Sequence, residues 1–220
     1  MKKLVLYSDQ EIPENARIDR RMLALIDKPY PLVGYIPSSA DPDRKWFKIK
    51  QAYYAAIGVT LTNYFELDDH FEPDALSSLM QCDAIHLSGG NTYHFLYWLR
   101  RRGMLEVLRN YVENGGVLIG NSAGSILMTP EINSTALCED IPLSGEESDD
   151  FSALGLVNFA FYPHINLYSN YREAMIKYSL EHPYPIYGCA DGNGIIVDGD
   201  QIEFIGPIMK AQNGIISPAT

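Results

Sequence analysis

The segment richest in chemistry is Val117-Leu118-Ile119-Gly120-Asn121-Ser122-Ala123-Gly124-Ser125. A serine between two glycines, after an apolar strand and before an apolar helix, is the setting of a nucleophile elbow. The glycines allow a sharp turn and a close approach of neighbouring backbone, so the hydroxyl projects above the sheet. A helix that starts there aims free N–H groups and the positive end of its dipole at developing negative charge. The other reading is a glycine-rich turn whose serine only caps the helix. A second loop, Ser88-Gly89-Gly90-Asn91-Thr92, follows the apolar run 84–87. Loops at the carboxyl ends of parallel strands converge on one crevice, so the N–H groups of Gly89 and Gly90 could join that of Ala123 in an oxyanion hole. A tight turn capped by Asn91 or Thr92 accounts for the same residues equally well.

Together these two segments resemble the peptidase E (S51) serine peptidases, which include aspartyl dipeptidases and the related cyanophycinases. The matching elements are Gly89-Gly90-Asn91-Thr92, Gly120-Asn121-Ser122-Ala123-Gly124 and Tyr162-Pro163-His164, and the likeness runs from Leu4 to Ile205. The resemblance implies a fold like that of class I glutamine amidotransferases, with Ser122 in place of their cysteine nucleophile. It also implies His164 as general base. An imidazole within hydrogen-bond reach activates a serine and later protonates the leaving amine. His70 and His182 lie in polar surroundings, His86 in a buried strand and His94 at a helix start, whereas His164 follows a strand and a proline.

Two carboxylates compete to orient that histidine. Glu139-Asp140-Ile141-Pro142 resembles the acidic position of the dipeptidase branch, and Asp191-Gly192 resembles the Glu-Gly of the cyanophycinase branch. Chain order does not separate them, since triads recur in unrelated orders. Asp191 follows an apolar strand while Asp140 sits among many acids, which favours Asp191. Tyr171-Arg172-Glu173 resembles a Thr-Arg-Glu stretch of the family, implying that Arg172 holds an aspartate side chain through two parallel hydrogen bonds. Pairing of Arg172 with an acid on its own helix is the other reading. Asn91 joins Arg172 as a substrate-binding residue. Ser88 and Ser125 depart from the family's usual glycine and alanine. The implied activity is that of a metal-independent, cofactor-free serine exopeptidase or dipeptidase acting on short peptides, with N-terminal aspartate preferred. A β-aspartyl or isopeptide hydrolase, as in cyanophycinases, and a non-catalytic small-molecule binding protein are the alternatives.

The elements that must position these residues alternate along the chain. Short β-rich runs at 3–7, 32–36, 61–65, 84–87 and 117–119 are separated by helix-like segments at 15–26, 43–57, 74–80, 92–102 and 103–113. That alternation predicts one three-layer α/β domain over 1–220 with a mostly parallel sheet. A short helix follows Ser122 to about residue 128, and an acidic Ser/Gly/Pro-rich excursion spans 131–152. A strand at 156–162, a helix at 171–181 and strands at 186–190, 194–198 and 201–205 complete the pattern, the last two joined by Gly199-Asp200 as a hairpin. Residues 211–220 read as a loose tail.

The 220 residues carry 17 Lys+Arg against 28 Asp+Glu, a net charge of −11. The first 110 residues hold 14 basic and 14 acidic side chains, and the last 110 hold 3 and 14, so the whole excess lies in the second half. Such a chain repels nucleic acid and anionic membranes, leaving a small peptide as the expected partner. Cys82, Cys138 and Cys189 show no disulfide or metal spacing, and no run has the length of a signal or membrane segment, so a cytoplasmic protein with reduced thiols is expected. Tyrosine-rich stretches such as Tyr53-Tyr54 and Tyr184-Pro185 leave the oligomeric state open, a homodimer included.

Overall fold

The computed structural model describes residues 1–219 except Glu11, Ile12, Asp69, Glu139 and Glu147. Five short apolar runs make the centre of its main sheet: β1 (Lys3–Tyr7), β2 (Leu32–Ile36), β3 (Thr60–Tyr64), β4 (Ala84–Leu87) and β5 (Val117–Asn121). They pair in parallel in the order β3-β2-β4-β5-β1. Strong burial on both faces is why β4 and β5 read as continuous apolar runs. Along β1 the alternation of side chains sends Leu4 and Leu6 to one face and Val5 and Tyr7 to the other. The first face is covered by α4 (Thr92–Arg101), α5 (Met104–Glu113) and the short α6 (Ala123–Ile126), together with α3 (Leu76–Met80). The second face is covered by α1 (Ala16–Ile26) and α2 (Lys45–Ala56). Each aliphatic side chain buried this way contributes about 1.5–3 kcal/mol relative to exposure. The two clusters therefore fix the strand ends where the functional loops begin. The result is the three-layer α/β architecture that the alternating pattern predicts.

A second sheet lies beside the first. It contains β6 (Ala160–Tyr162) and β7 (Ile186–Cys189), which pair in parallel, then β10 (Ile208–Gln212) and β11 (Ile215–Pro218), in the order β11-β10-β7-β6. Helix α7 (Tyr171–Glu181) packs Met175 and Tyr178 against it. Between β7 and β10 the chain returns to the main sheet as β8 (Gly194–Asp198) and β9 (Gln201–Ile205), an antiparallel pair joined by the two-residue turn Gly199-Asp200. β8 also runs antiparallel to β1.

Three expectations change. Residues 211–220 are no loose tail: Ile208 and Ala211 are buried, and β10 and β11 pair over Met209–Gln212 and Ile215–Pro218. The turn between them is Asn213-Gly214, both with positive φ, the preferred chemistry of a two-residue hairpin. Thr220 lies outside the described residues. The strand expected over 156–162 forms only at its end, because Leu154, Gly155 and Leu156 donate their N–H groups to the turns after α6. The excursion at 131–152 is partly internal, with Ile132, Ser134 and Thr135 buried around a 3-10 helix at Asn133–Cys138, while Ile141 and Leu143 face solvent. Among the described residues, no helix is long and apolar enough to cross a membrane.

Candidate active site

Ser122 sits where β5 turns into α6, with φ +51° and ψ −108°, in a region that L-residues rarely occupy. Its N–H donates to the Tyr7 carbonyl at 3.1 Å, anchoring the elbow to β1. The flanking glycines are required by contact. A Cβ on Gly120 would lie 2.5 Å from the Gly124 carbonyl carbon, and one on Gly124 would lie 2.2 Å from the Leu87 carbonyl oxygen. The two family departures have local roles here. The Ser125 hydroxyl donates to the Tyr7 carbonyl at 2.8 Å, and Ser88 Oγ accepts the Ser38 N–H at 2.7 Å, tying the ends of β2 and β4 together.

His164 and Asp191 come from the second sheet. Because β6 and β7 are parallel neighbours, the loops after them leave at the same end, one carrying His164 and the other Asp191. His164 adopts φ +58° and starts a 3-10 turn at Ile165–Leu167. Its Nε2 lies 2.8 Å from Ser122 Oγ, and its Nδ1 lies 2.6 Å from Asp191 Oδ1. Ser122 belongs to the main sheet, so the hydrogen-bonded chain closes only across the junction of the two sheets.

Two residues outside the expected set hold that junction. Ser8, just past β1, accepts the His164 N–H at 2.8 Å, and its hydroxyl lies 2.9 Å from the Cys189 carbonyl and 3.0 Å from Asp191 Oδ1. Asn166 donates through Nδ2 to Asp191 Oδ2 at 3.2 Å and accepts the Asp191 N–H at 2.8 Å. Burial alone would push the Asp191 carboxyl pKa up. The bonds and charge of His164, with the bonds from Asn166 and Ser8, outweigh it and hold the group below its ordinary value. Ser8 was findable in principle, as a polar residue at the carboxyl end of a central parallel strand.

Gly89 closes on the serine from β4: a Cβ there would lie 3.5 Å from Ser122 Cβ. The N–H groups of Gly89, Gly90 and Ala123 find no acceptor among the described residues. Such free donors beside a nucleophile can hold an oxyanion. A crevice of about 520 Å³ opens next to Gly89, Gly90 and Asn121, at the carboxyl ends of the parallel strands.

Other expected site residues are placed elsewhere. Asp140 does not join the histidine: its Oδ2 accepts the Thr92 N–H and the Thr92 and Thr135 hydroxyls, each at 3.0 Å, at the start of α4. Its neighbour Glu139 lies outside the described residues. Asn91 is committed at both ends of its amide, Oδ1 accepting the His94 N–H at 2.9 Å as the α4 cap and Nδ2 donating to the Ile141 carbonyl at 2.9 Å. These bonds take one N–H and one lone pair of the amide, and Asn91 serves as the α4 cap. Arg172 is exposed on the first turn of α7, with its guanidinium over the Tyr171 ring at 5.5 Å, and it does not line the crevice. His86 is fully buried, its Nδ1 on the Tyr54 hydroxyl, and burial drives its pKa well down. His94 and His182 pair with Glu146 and Glu131. Among the described residues, no three His, Cys, Asp or Glu side chains gather as a metal site.

The chain is similar to known peptidases along most of its length. The family model "Peptidase family S51" matches residues 4–205. Peptidase E of Shewanella sp. (strain ANA-3) is 31% identical over 148 residues, covering 62% of this chain and 59% of that relative's length. Peptidase E of Shewanella baltica (strain OS195) is 30% identical over 203 residues, covering 82% of each. A solved structure of a candidate peptidase E protein from Listeria monocytogenes EGD-e superposes with a TM-score of 0.72 at 20% identity over the full length of both chains, a likeness of fold. The family match across nearly all of both halves, and the elbow at its centre, make this chain a member of peptidase family S51, a family of serine peptidases.

Proposed function

We propose that the chain hydrolyses short peptides through Ser122, His164 and Asp191. The observation that carries this reading is the unbroken hydrogen-bonded chain from Ser122 Oγ through His164 to Asp191, at 2.8 and 2.6 Å. In the forward step Ser122 Oγ attacks the scissile carbonyl carbon while its proton passes to His164 Nε2. Asp191 holds the Nδ1–H tautomer and stabilises the imidazolium that forms. The carbonyl oxygen becomes an oxyanion between the N–H groups of Ala123 and of Gly89 or Gly90. His164 then gives its proton to the leaving amine, and the acyl-enzyme is released by water that His164 deprotonates in turn. The family resemblance directs the activity to exopeptidase or dipeptidase substrates with an N-terminal aspartate.

The test is covalent labelling with a serine-directed phosphonate, followed by a panel of Asp-X, Glu-X and Ala-X dipeptides. Labelling at Ser122 that vanishes in Ser122→Ala is expected. A folded protein that takes no label would end the hydrolase reading. Equal cleavage of Ala-X and Asp-X would remove only the acidic preference.

A further inference from the structure

The crevice beside Gly89 contains a cation that the family resemblance does not single out. Lys50, on α2, lines it together with Gln10, Ser38, Trp46, Gly89 and Asn121. Lys50 is half-buried, its ammonium makes no ion pair among the described residues, and it lies 5.7 Å from the centre of the Tyr53 ring. Burial lowers its pKa while Asp9, on the same rim, opposes the shift. A desolvated cation without a bonded anion gains most from a carboxylate arriving with a ligand.

A second, independent observation points to a ligand in the same place. Gln10 and Asn121 are more than nine-tenths buried, and Gln10 Oε1 and Asn121 Oδ1 have no hydrogen-bond partner among the described residues. Gln10 Nε2 is already engaged with the Tyr54 hydroxyl, so its oxygen is the end left over. Buried polar atoms are normally satisfied. Two orphaned acceptors on residues that line the crevice, beside one cation with no ion pair, fit a ligand with N–H donors and a carboxylate. A short peptide has both.

We propose that Lys50 receives a carboxylate of the peptide substrate, while the amide oxygens of Gln10 and Asn121 accept from its N–H groups. The proposal rests on the peptidase reading above and deepens it, placing substrate recognition on α2 and not on Arg172 of α7. The carboxylate is either the aspartate side chain or the peptide's own terminus, and the experiment separates the two.

Binding to the Ser122→Ala protein is measured by calorimetry with Asp-Ala, Asn-Ala and Asp-Ala amide, in the parent and in added Lys50→Met and Arg172→Ala variants. Removing the recognised carboxylate is expected to weaken parent binding about tenfold or more, the scale of a charge-assisted hydrogen bond. A weak Asn-Ala assigns the side chain, and a weak Asp-Ala amide assigns the terminus. Lys50→Met should weaken Asp-Ala by the same factor and erase the difference, whereas Arg172→Ala should keep it. The proposal is overturned if all three peptides bind Lys50→Met as they bind the parent, or if Arg172→Ala erases the difference instead. Lys50→Gln serves as the second uncharged variant should Lys50→Met melt early. Phosphonate labelling of Lys50→Met with Ser122 intact keeps the two readings apart: loss of peptide binding with normal labelling touches Lys50, and absent labelling with normal binding touches the serine chemistry.

Discussion

Ser122 and His164 both hold positive φ angles, a conformation that costs a non-glycine residue about 1–3 kcal/mol and persists only where the surroundings over-determine it. Here they do, through the Tyr7 carbonyl under Ser122 and the Ser8 hydroxyl under the His164 N–H. Asp191 completes the set, and its replacement gives the sharpest test among the carboxylates. Asp191→Asn preserves shape but offers Nδ2 where His164 needs an acceptor, so kcat should fall by about 10²–10⁴-fold with little change in KM. Asp140→Asn should leave kcat within a factor of about three. Its loss weakens the start of α4 by about 1 kcal/mol, lowering Tm by about 2–4 °C. If the two effects were exchanged, Asp140 would be the orienting acid. The Asp191 carboxyl has a folded pKa below its unfolded value, so its contribution to stability is complete above about pH 4 and is lost as pH falls through the folded value. The Tm gap between the parent and Asp191→Asn should accordingly be widest near neutrality and close on acidification below about pH 4. A gap that widened in acid would contradict the direction of that shift.

At the scale of elements, the active centre depends on how α6 is seated. Ser122 N–H and Ser125 Oγ both bond the Tyr7 carbonyl, so one backbone oxygen at the end of β1 holds both the elbow and the first turn of the helix. Ser125→Ala removes one of these bonds in a fully buried place and should cost about 1–2 kcal/mol, read as a Tm lowered by about 2–8 °C. An unchanged Tm would mean that α6 is held by its apolar contacts alone. The strand–glycine–serine–helix sequence was legible because all of its determinants lie within nine residues. His164 was legible because it follows a strand and a proline in the family's own pattern. The second sheet was not, since β6 has only three residues and β10–β11 were hidden in what read as a tail, although Asn213-Gly214 carries a hairpin signal. Without that sheet nothing says that Asp191 lies beside His164, because this follows from the parallel pairing of β6 with β7. Gln10 and Lys50 have no local pattern at all, and Ser8 is marked only by its place at the end of a central parallel strand. Ser8 meets His164 across 156 residues of chain, a contact that only the folded topology creates.

For the whole molecule the decisive quantity is the net charge of −11 and its distribution. The second half contributes Ser122, His164 and Asp191 and contains only Arg172, Lys177 and Lys210 as cations against 14 acids. Placed in that field alone, a peptide with an aspartate side chain would be repelled from the site. The fold brings the loops after β1, β2 and β4 and the helix α2, all from the electroneutral half, to the same crevice, and the proposed contact with Lys50 would offset that repulsion. Long-range repulsion and short-range attraction then respond differently to salt. The Debye length shrinks from about 30 Å at 0.01 M to about 8 Å at 0.15 M ionic strength, which screens the distant acids but only weakly affects a half-buried ammonium in contact with its partner. Raising NaCl across that range should therefore increase kcat/KM for Asp-Ala by about two- to fivefold and leave Ala-Ala, whose two terminal charges cancel, unchanged. In Lys50→Met the salt-driven rise should persist while the absolute rate with Asp-Ala stays low, because the repelling field remains and the receiving cation is gone. A fall in kcat/KM for Asp-Ala with salt in the parent would show attraction to dominate at long range, and the acidic half would then not be what limits capture of the substrate.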